Sequence, residues 1–456
     1  MRNKYIIVLI CFLFTIGFTA YSQNEGAVIM NLDECIRYGL ENSELVNISK
    51  LEIEKQKAYV GEITAEGLPQ IDATADLSKN LKLQTTFIPA IFFDPNAEEG
   101  EVAPVTFGTP YSGLAGINAS QMIFNGSYFV GLNAARTLKE LTTKEHIQTK
   151  RDVVEAIQKA YYYVLVSEVS YRTVQLNYDR LDSLLRETKI MHENGFTEKI
   201  EVSRTQVQFN NIKTNLENSR RELEYSKDVL KFHIGMPLET NLQIADKFSG
   251  FNINFSNYVI EDADGRHRIE EEILEIQKQL ATLDLKNNHV QYLPTLDLYF
   301  GLGANAGTLT SKELFSFNDD NWFGYRMVGI SATLPIFDGL RKAKKIQQNR
   351  INIAQIELQQ KNLERSIDNE IKDTKILLQN SLEELKNQQE NVQLAEEVYN
   401  IARIKYQEGV GSSIEVMDAD NEFKRAQTNY YNALLSTLIN KVNYEKALGV
   451  LMDEYN

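Results

Sequence analysis

Two stretches of this chain, residues 132–194 and 340–408, contain neither glycine nor proline. Glycine costs a helix interior about 1 kcal/mol and proline about 3 kcal/mol, so runs free of both can continue as helix where most domains turn. At 1.5 Å per residue, about 65 residues make a rod about 100 Å long. In the second stretch apolar residues recur at sevens: Ile371, Leu378, Leu385, Val392, Tyr399 and Tyr406. Ile367, Leu382, Ala395 and Ala402 partly fill a second seam, which is coiled-coil spacing. The eight prolines agree, leaving a gap from Pro110 to Pro237 and none after Pro335. Gly195 and Gly409 break the rods, and shorter helices are expected at 198–233 and 412–451.

The chain is also duplicated. Gly116-Ile117-Asn118-Ala119-Ser120-Gln121-Met122-Ile123-Phe124-Asn125-Gly126 lines up with Gly329-Ile330-Ser331-Ala332-Thr333-Leu334-Pro335-Ile336-Phe337-Asp338-Gly339. About six of eleven positions match at an offset of about 213 residues, well beyond a solenoid period. Upstream, Leu68-Pro69 answers Leu293-Pro294; downstream, Gly195 with Ile200-Glu201-Val202 answers Gly409 with Ile414-Glu415-Val416. Three anchors in the same order indicate two copies of one design. Residues 23–235 read as the first repeat, with a helix, two strands, a very long helix, a turn and a shorter helix. Residues 236–270 read as an irregular connector and 271–456 as the second repeat.

Each repeat opens with strands. Ile71, Ala73, Ala75, Leu77, Lys79, Leu81 and Leu83 alternate with Asp72, Thr74, Asp76, Ser78, Asn80 and Lys82, a period-2 pattern with one apolar and one polar face. Leu296 to Asn305 and Met327 to Ile336 alternate likewise, and Tyr111 to Phe124 is a weaker copy. All four run about 10 residues or more, the length a tilted strand needs to cross a bilayer. Polar faces rich in Gly, Ser, Thr, Asn and Asp suit a wet lumen, and Trp322, Phe323 and Tyr325 cluster at one strand end as an interfacial girdle would. Four strands cannot close a barrel, so this reading requires oligomerisation; three copies would give about twelve strands. The other reading of the same pattern is a soluble sheet packed on helices. Residues 87–110, aperiodic and acidic, read as the outward loop between the first two strands.

Residues 1–22 read as a secretory signal: Arg2 and Lys4, then an apolar stretch, then Ala20-Tyr21-Ser22. Beyond it no stretch approaches the about 18 apolar residues of a spanning helix. Cleavage would remove Cys11 and leave Cys35 alone, so no internal disulfide is expected. The 48 Lys plus Arg against 63 Asp plus Glu give a formal charge of -15, which argues against a general nucleic-acid binder.

With Asn31-Leu32-Asp33-Glu34 opening the first helix and Ile336-Phe337-Asp338-Gly339 closing the second hairpin, these anchors and the two tips resemble the TolC-like outer-membrane efflux protein family. The resemblance covers essentially the whole mature chain. It implies a membrane α/β-barrel fold: a homotrimer with a 12-stranded barrel among outer-membrane lipid and a long coiled-coil tunnel across the periplasm. It also implies a role as the passive exit channel of a tripartite efflux pump or a type I secretion system. The implied partners are a periplasmic adaptor (membrane fusion) protein and an inner-membrane transporter. Glu415 and Asp418 fall where the family carries a gate of acidic side chains, although Glu stands at 415 where Asp is usual. Tyr406 and Glu201 fall on a Tyr–acid bond of the gate, and Gly411 replaces an Arg that shares that role in the best-known member. Gly195, Phe196, Gly409 and Val410 fall on the adaptor-contacting tips. A plainer reading of Glu415 and Asp418 is that acids in the first turns of a helix favour its dipole.

No chemistry of its own is expected. The five histidines are scattered, with no metal-ligand spacing, so no metal site or cofactor is assigned. Glu261-Asp262-Ala263-Asp264-Gly265 lacks the remaining ligands of a calcium loop, and Gly301, Gly303 and Gly307 miss the dinucleotide spacing. The alternative to a duct is a secreted or periplasmic coiled-coil scaffold. The strand faces separate the two: a duct leaves the apolar faces open for lipid, and a scaffold covers them with helix.

Overall fold

The structure is a computed structural model that describes residues 27–246, 268–316 and 321–452. The signal segment, most of the expected connector with its acidic turn, and the last few residues lie outside this range. Two compact units form. Of the described residues, one comprises 27–47, 149–246 and 369–452; the other comprises 48–148, 268–316 and 321–368. Each draws on both sequence repeats.

The elements fall in two similar but not identical series. The first pass is β1 (Val28–Met30), α1 (Leu32–Asn42), α2 (Glu44–Glu66), β2 (Gln70–Lys79), β3 (Thr85–Pro89), β4 (Val102–Thr106), β5 (Tyr111–Phe124), α3 (Gly126–Glu193) and α4 (Lys199–Ile234). The second is β6 (Leu242–Ile244), α5 (Ile269–Val290), β7 (Thr295–Thr308), α6 (Ser311–Leu314), β8 (Trp322–Thr333), α7 (Arg341–Gln407) and α8 (Ser413–Leu448). The long helices α3 and α7 have 68 and 67 residues, and α4 and α8 have 36 each. Among the described residues, no helix is long and apolar enough to cross a membrane.

Local chemistry sets several boundaries. Asn31 caps α1 through a reciprocal box: its amide donates to Glu34 at 2.8 Å and its side chain accepts from the Glu34 amide at 2.8 Å. Strand β8 ends at Thr333, three residues before the expected end at Ile336. Pro335 has no N–H to give a ladder. The region 87–110 is not merely a loop, because β4 and the end of β3 lie in it and the two strands pair as an antiparallel hairpin. Pro104 and the lack of alternation hide β4 from a periodicity argument. The three-residue strands β1 and β6, which pair in parallel, are too short to show a period at all.

Among the described residues, the first unit is built mainly of helix, with the β1–β6 pair as its strands. Its core gathers Cys35, Ile36, Ile157, Tyr161, Leu230 and Leu434, all fully or almost fully buried. Burying a side chain of Leu or Ile size contributes about 1.5–3 kcal/mol relative to exposure. Along α7 the sevens hold: Leu378, Leu385 and Tyr399 are buried, while Val392 and Tyr406 pack partly buried. Tyr399 meets Val416, Ala419 and Phe423 of α8, so the two helices zip along the coiled-coil seam.

In the second unit β2, β5, β7 and β8 form a four-stranded antiparallel sheet in that order, leaving β2 and β8 as its edges. Register sets the faces. Ile71, Ala119, Phe300 and Val328 align across the four strands, and two residues along each strand Ala73, Ile117, Leu302 and Arg326 do the same. This apolar face is open: Ile71 is 70 % and Val328 71 % exposed. On the opposite face Thr74, Gly116, Gly303 and Tyr325 align. A Cβ at Gly303 would lie 2.5 Å from the Ala115 carbonyl oxygen and 2.8 Å from the Tyr325 hydroxyl, so the ring lies over bare backbone there. The expected aromatic girdle is therefore split. Trp322 shares the apolar face, whereas Phe323 and Tyr325 sit on the polar one, because side chains of adjacent strand residues point to opposite faces.

A candidate gate at the helical tips

Helices α3 and α7 end in the same turn. Gly195 (φ 78°) and Gly409 (φ 77°) are left-handed, a conformation that a Cβ resists. The Phe196 N–H donates to the Met191 carbonyl at 2.8 Å and that of Gly195 to His192 at 3.0 Å. At the second tip the Val410 N–H donates to Lys405 at 3.0 Å and that of Gly409 to Tyr406 at 3.0 Å. Each turn thus satisfies carbonyls that a helix end would leave open. The second is tighter. The Gly411 N–H also reaches Lys405 at 3.1 Å, and a Cβ at 411 would sit 3.0 Å from the Lys405 Cβ. A side chain at 411 would need its Lys405 and Tyr406 neighbours to give by a few tenths of an ångström, so this tight turn suits glycine, where the resemblance implies arginine.

The four expected gate residues fall into two separate pairs. Glu201, in the first turn of α4, accepts from Arg204 Nη1 at 2.9 Å and from the Ser413 hydroxyl of α8. The resemblance implies that Tyr406 would bond this acid; Ser413 and Arg204 hold it instead. Tyr406 lies close enough to feel its charge. Burial and the Glu201 carboxylate both push the Tyr406 hydroxyl above the ordinary tyrosine range.

Glu201, Tyr406 and Ser413 line one cavity of about 460 Å³ enclosed by α3, α4, α7 and α8. Glu415 and Asp418 do not. They are exposed, three residues apart on one face of α8, while Ser413, Val416 and Asp420 point the other way into the cavity. The Glu415 N–H is capped by the Ser412 hydroxyl at 3.3 Å, which places Glu415 in the first turn of α8, where an acid favours the helix dipole.

Sequence reasoning missed the remaining cavity side chains. Arg180 lies over the rings of Tyr399 and Phe423, 5.2 and 5.9 Å from their centroids. Asp420, buried, pairs with Lys424. Asn177 donates to Gln427 at 3.2 Å, tying α3 to α8. The one sequence signal was that Val416 and Asp420, four apart, follow Ser413 on one helical face.

A duplicated helical hairpin pair, twin glycine tips and a four-stranded sheet with one open apolar face define the class of an outer-membrane channel protein. The sequence profile described as "Outer membrane efflux protein" matches residues 36–235 and 265–450. The chain belongs to that family, and its place is the outer membrane. It is 22 % identical over 419 residues to "Outer membrane protein TolC" of Escherichia coli (strain K12), covering 86 % of this chain and 83 % of the relative. It is 23 % identical over 437 residues to "Probable outer membrane lipoprotein SilC" of Salmonella typhimurium, covering 90 % and 84 %. Among solved structures, the Campylobacter jejuni CmeC outer membrane channel superposes with a TM-score of 0.69 at 16 % identity, covering 94 % of this chain and 90 % of that one. The outer membrane protein VceC of Vibrio cholerae gives 0.65 at 15 %, covering 92 % and 96 %.

Proposed function

We propose that three copies of this chain close a 12-stranded barrel in the outer membrane, continued by a periplasmic helical tunnel, and that the trimer is the passive exit channel of a tripartite export system. One observation carries this reading. The sheet presents an open apolar face and two free edges, β2 and β8. In water such a sheet would be an aggregation hazard. In lipid its backbone groups must all be paired, and edge-to-edge closure between copies achieves that. The coiled-coil scaffold reading is disfavoured by the same fact, because it needs helix over the apolar face.

On this reading residues 23–235 and 271–456 are two equivalent repeats joined by 236–270, each threading barrel and tunnel. Glu415 and Asp418 would line the constriction as a ring of about six carboxylates, drawing cations and repelling anions. Glu201 and Tyr406, with Ser413, would hold the second tip against the first. Phe196 and Val410 would meet a periplasmic adaptor protein, itself bound to an inner-membrane transporter that supplies the energy. Relatives named as antibiotic and toluene efflux pump outer membrane proteins, ArpC and TtgC of Pseudomonas putida, favour efflux of small molecules over type I protein secretion.

Membrane fractionation and chemical crosslinking of the detergent-extracted protein test the core of the proposal. A trimer in the outer-membrane fraction is expected. A soluble monomer would overturn it.

A further inference from the structure

The tip cavity has a charge pattern that gating leaves unused. Two of its carboxylates are already engaged: Glu201 accepts from Arg204 and Ser413, and Asp420 pairs with Lys424. Two of its guanidiniums are not. Among the described residues neither Arg180 nor Arg403 has a carboxylate partner, and Arg180 is positioned by stacking on Tyr399 and Phe423 instead. Glu187 at the same cavity is also without an ion pair there and offsets one of the two positive charges. The volume of about 460 Å³ lies within the span of small-molecule sites, about 300–1,000 Å³. Leu181, Tyr399 and Val416 supply a buried apolar wall.

We infer that this cavity is a binding site for a small organic monoanion, an aromatic or aliphatic acid with one carboxylate or sulfonate group. The acid group would take charge-assisted hydrogen bonds from the guanidiniums, whose forked donors match two oxygens at once. The hydrocarbon body would lie against Leu181, Tyr399 and Val416. Because the walls come from α3, α4, α7 and α8, an occupant touches both helical hairpins together. The inference rests on cavity geometry alone, so its failure would leave the channel reading standing.

The test uses the full-length protein in detergent, titrated calorimetrically with 1-naphthalenesulfonate. Naphthyl-1-trimethylammonium serves as the control of opposite charge and similar shape. Saturable binding of one sulfonate per chain is expected, at least ten-fold tighter than that of the cation. Arg403, which is exposed and makes no ion pair among the described residues, can be changed without disturbing the fold; R403Q should weaken sulfonate binding at least ten-fold with an unchanged melting curve. R180K, which keeps the charge and drops the fork, should fall between the two. Uptake no greater than that of detergent alone, equal binding of the cation, or unaltered binding by R403Q would each overturn the site.

Discussion

Phe196 and Val410 occupy equivalent positions in the two tips. Each follows a left-handed glycine, each amide closes on the carbonyl five residues back, and each side chain is 78 % exposed. Two apolar residues held out by rigid turns suit contact with another protein. Photocrosslinkers placed at 196 and 410 should capture a periplasmic protein in cells. The double variant F196D/V410D should lose that capture and export activity while shifting stability by no more than about 0.5 kcal/mol, the usual range for exposed sites. Retained export would remove the tips from that role.

Among the described residues, the side chains of Glu415 and Asp418 make no hydrogen bond or ion pair, and the cap from Ser412 uses the Glu415 backbone. Replacing both by Ala should reduce cation preference in planar bilayers and weaken block by multivalent cations, with the melting temperature nearly unchanged. Selectivity and block equal to those of the parent would assign the acids to the dipole alone.

The bond from Ser413 to Glu201 joins α8 to α4. A hydrogen bond to a charged group contributes about 1.5–3 kcal/mol. A cycle of S413A, E201Q and the double variant, read by hydrogen exchange of tip amides, should give a coupling near the lower end, because the carboxylate is only partly buried. Additive effects would mean that the two groups act independently.

Tyr406 gives the tip a dependence on alkaline pH. Its folded pKa is raised, first by burial and then by Glu201, so the folded state favours the neutral hydroxyl. That stabilisation is complete below about pH 10, the value of a free tyrosine, and is lost as pH rises through the folded value. Tip amides should exchange faster above that point. Y406F should flatten this part of the profile, and a slope identical in the variant would exclude Tyr406 as its source.

Cys35 is fully buried, and burial, reinforced by Glu34 and Asp246, pushes its thiol up to about 12. Its peptide should resist a maleimide at pH 8 in the folded protein and be labelled within minutes after unfolding in guanidinium, as read by mass spectrometry. Rapid labelling of the folded protein would show that this core opens.

Much of this was legible in the chain itself. Strands β2 and β7 announce themselves through the alternation from Ile71 and from Leu296, because a pleated backbone sends successive side chains to opposite faces. Helix α7 is legible in its sevens, and its end in Gly409, since few other residues accept that backbone. What stayed hidden was short or irregular: β1 and β6 at three residues each, and the β3–β4 hairpin with Pro104 in its second strand.

The sequence by itself determined the alphabet of this protein: two long rods, two glycine tips, four alternating strands and their duplication. These features depend on interactions within a few residues along the chain. Only the tertiary structure decided which side chains meet. Arg180, Glu201, Tyr406 and Asp420 lie tens to hundreds of positions apart yet line one cavity, while Glu415 and Asp418, grouped with Tyr406 and Glu201 as gate residues from the sequence, face away from it. The reason is rotational: α8 turns 3.6 residues per cycle, and packing of Val416, Ala419 and Phe423 against α7 fixes which of its faces turns inward.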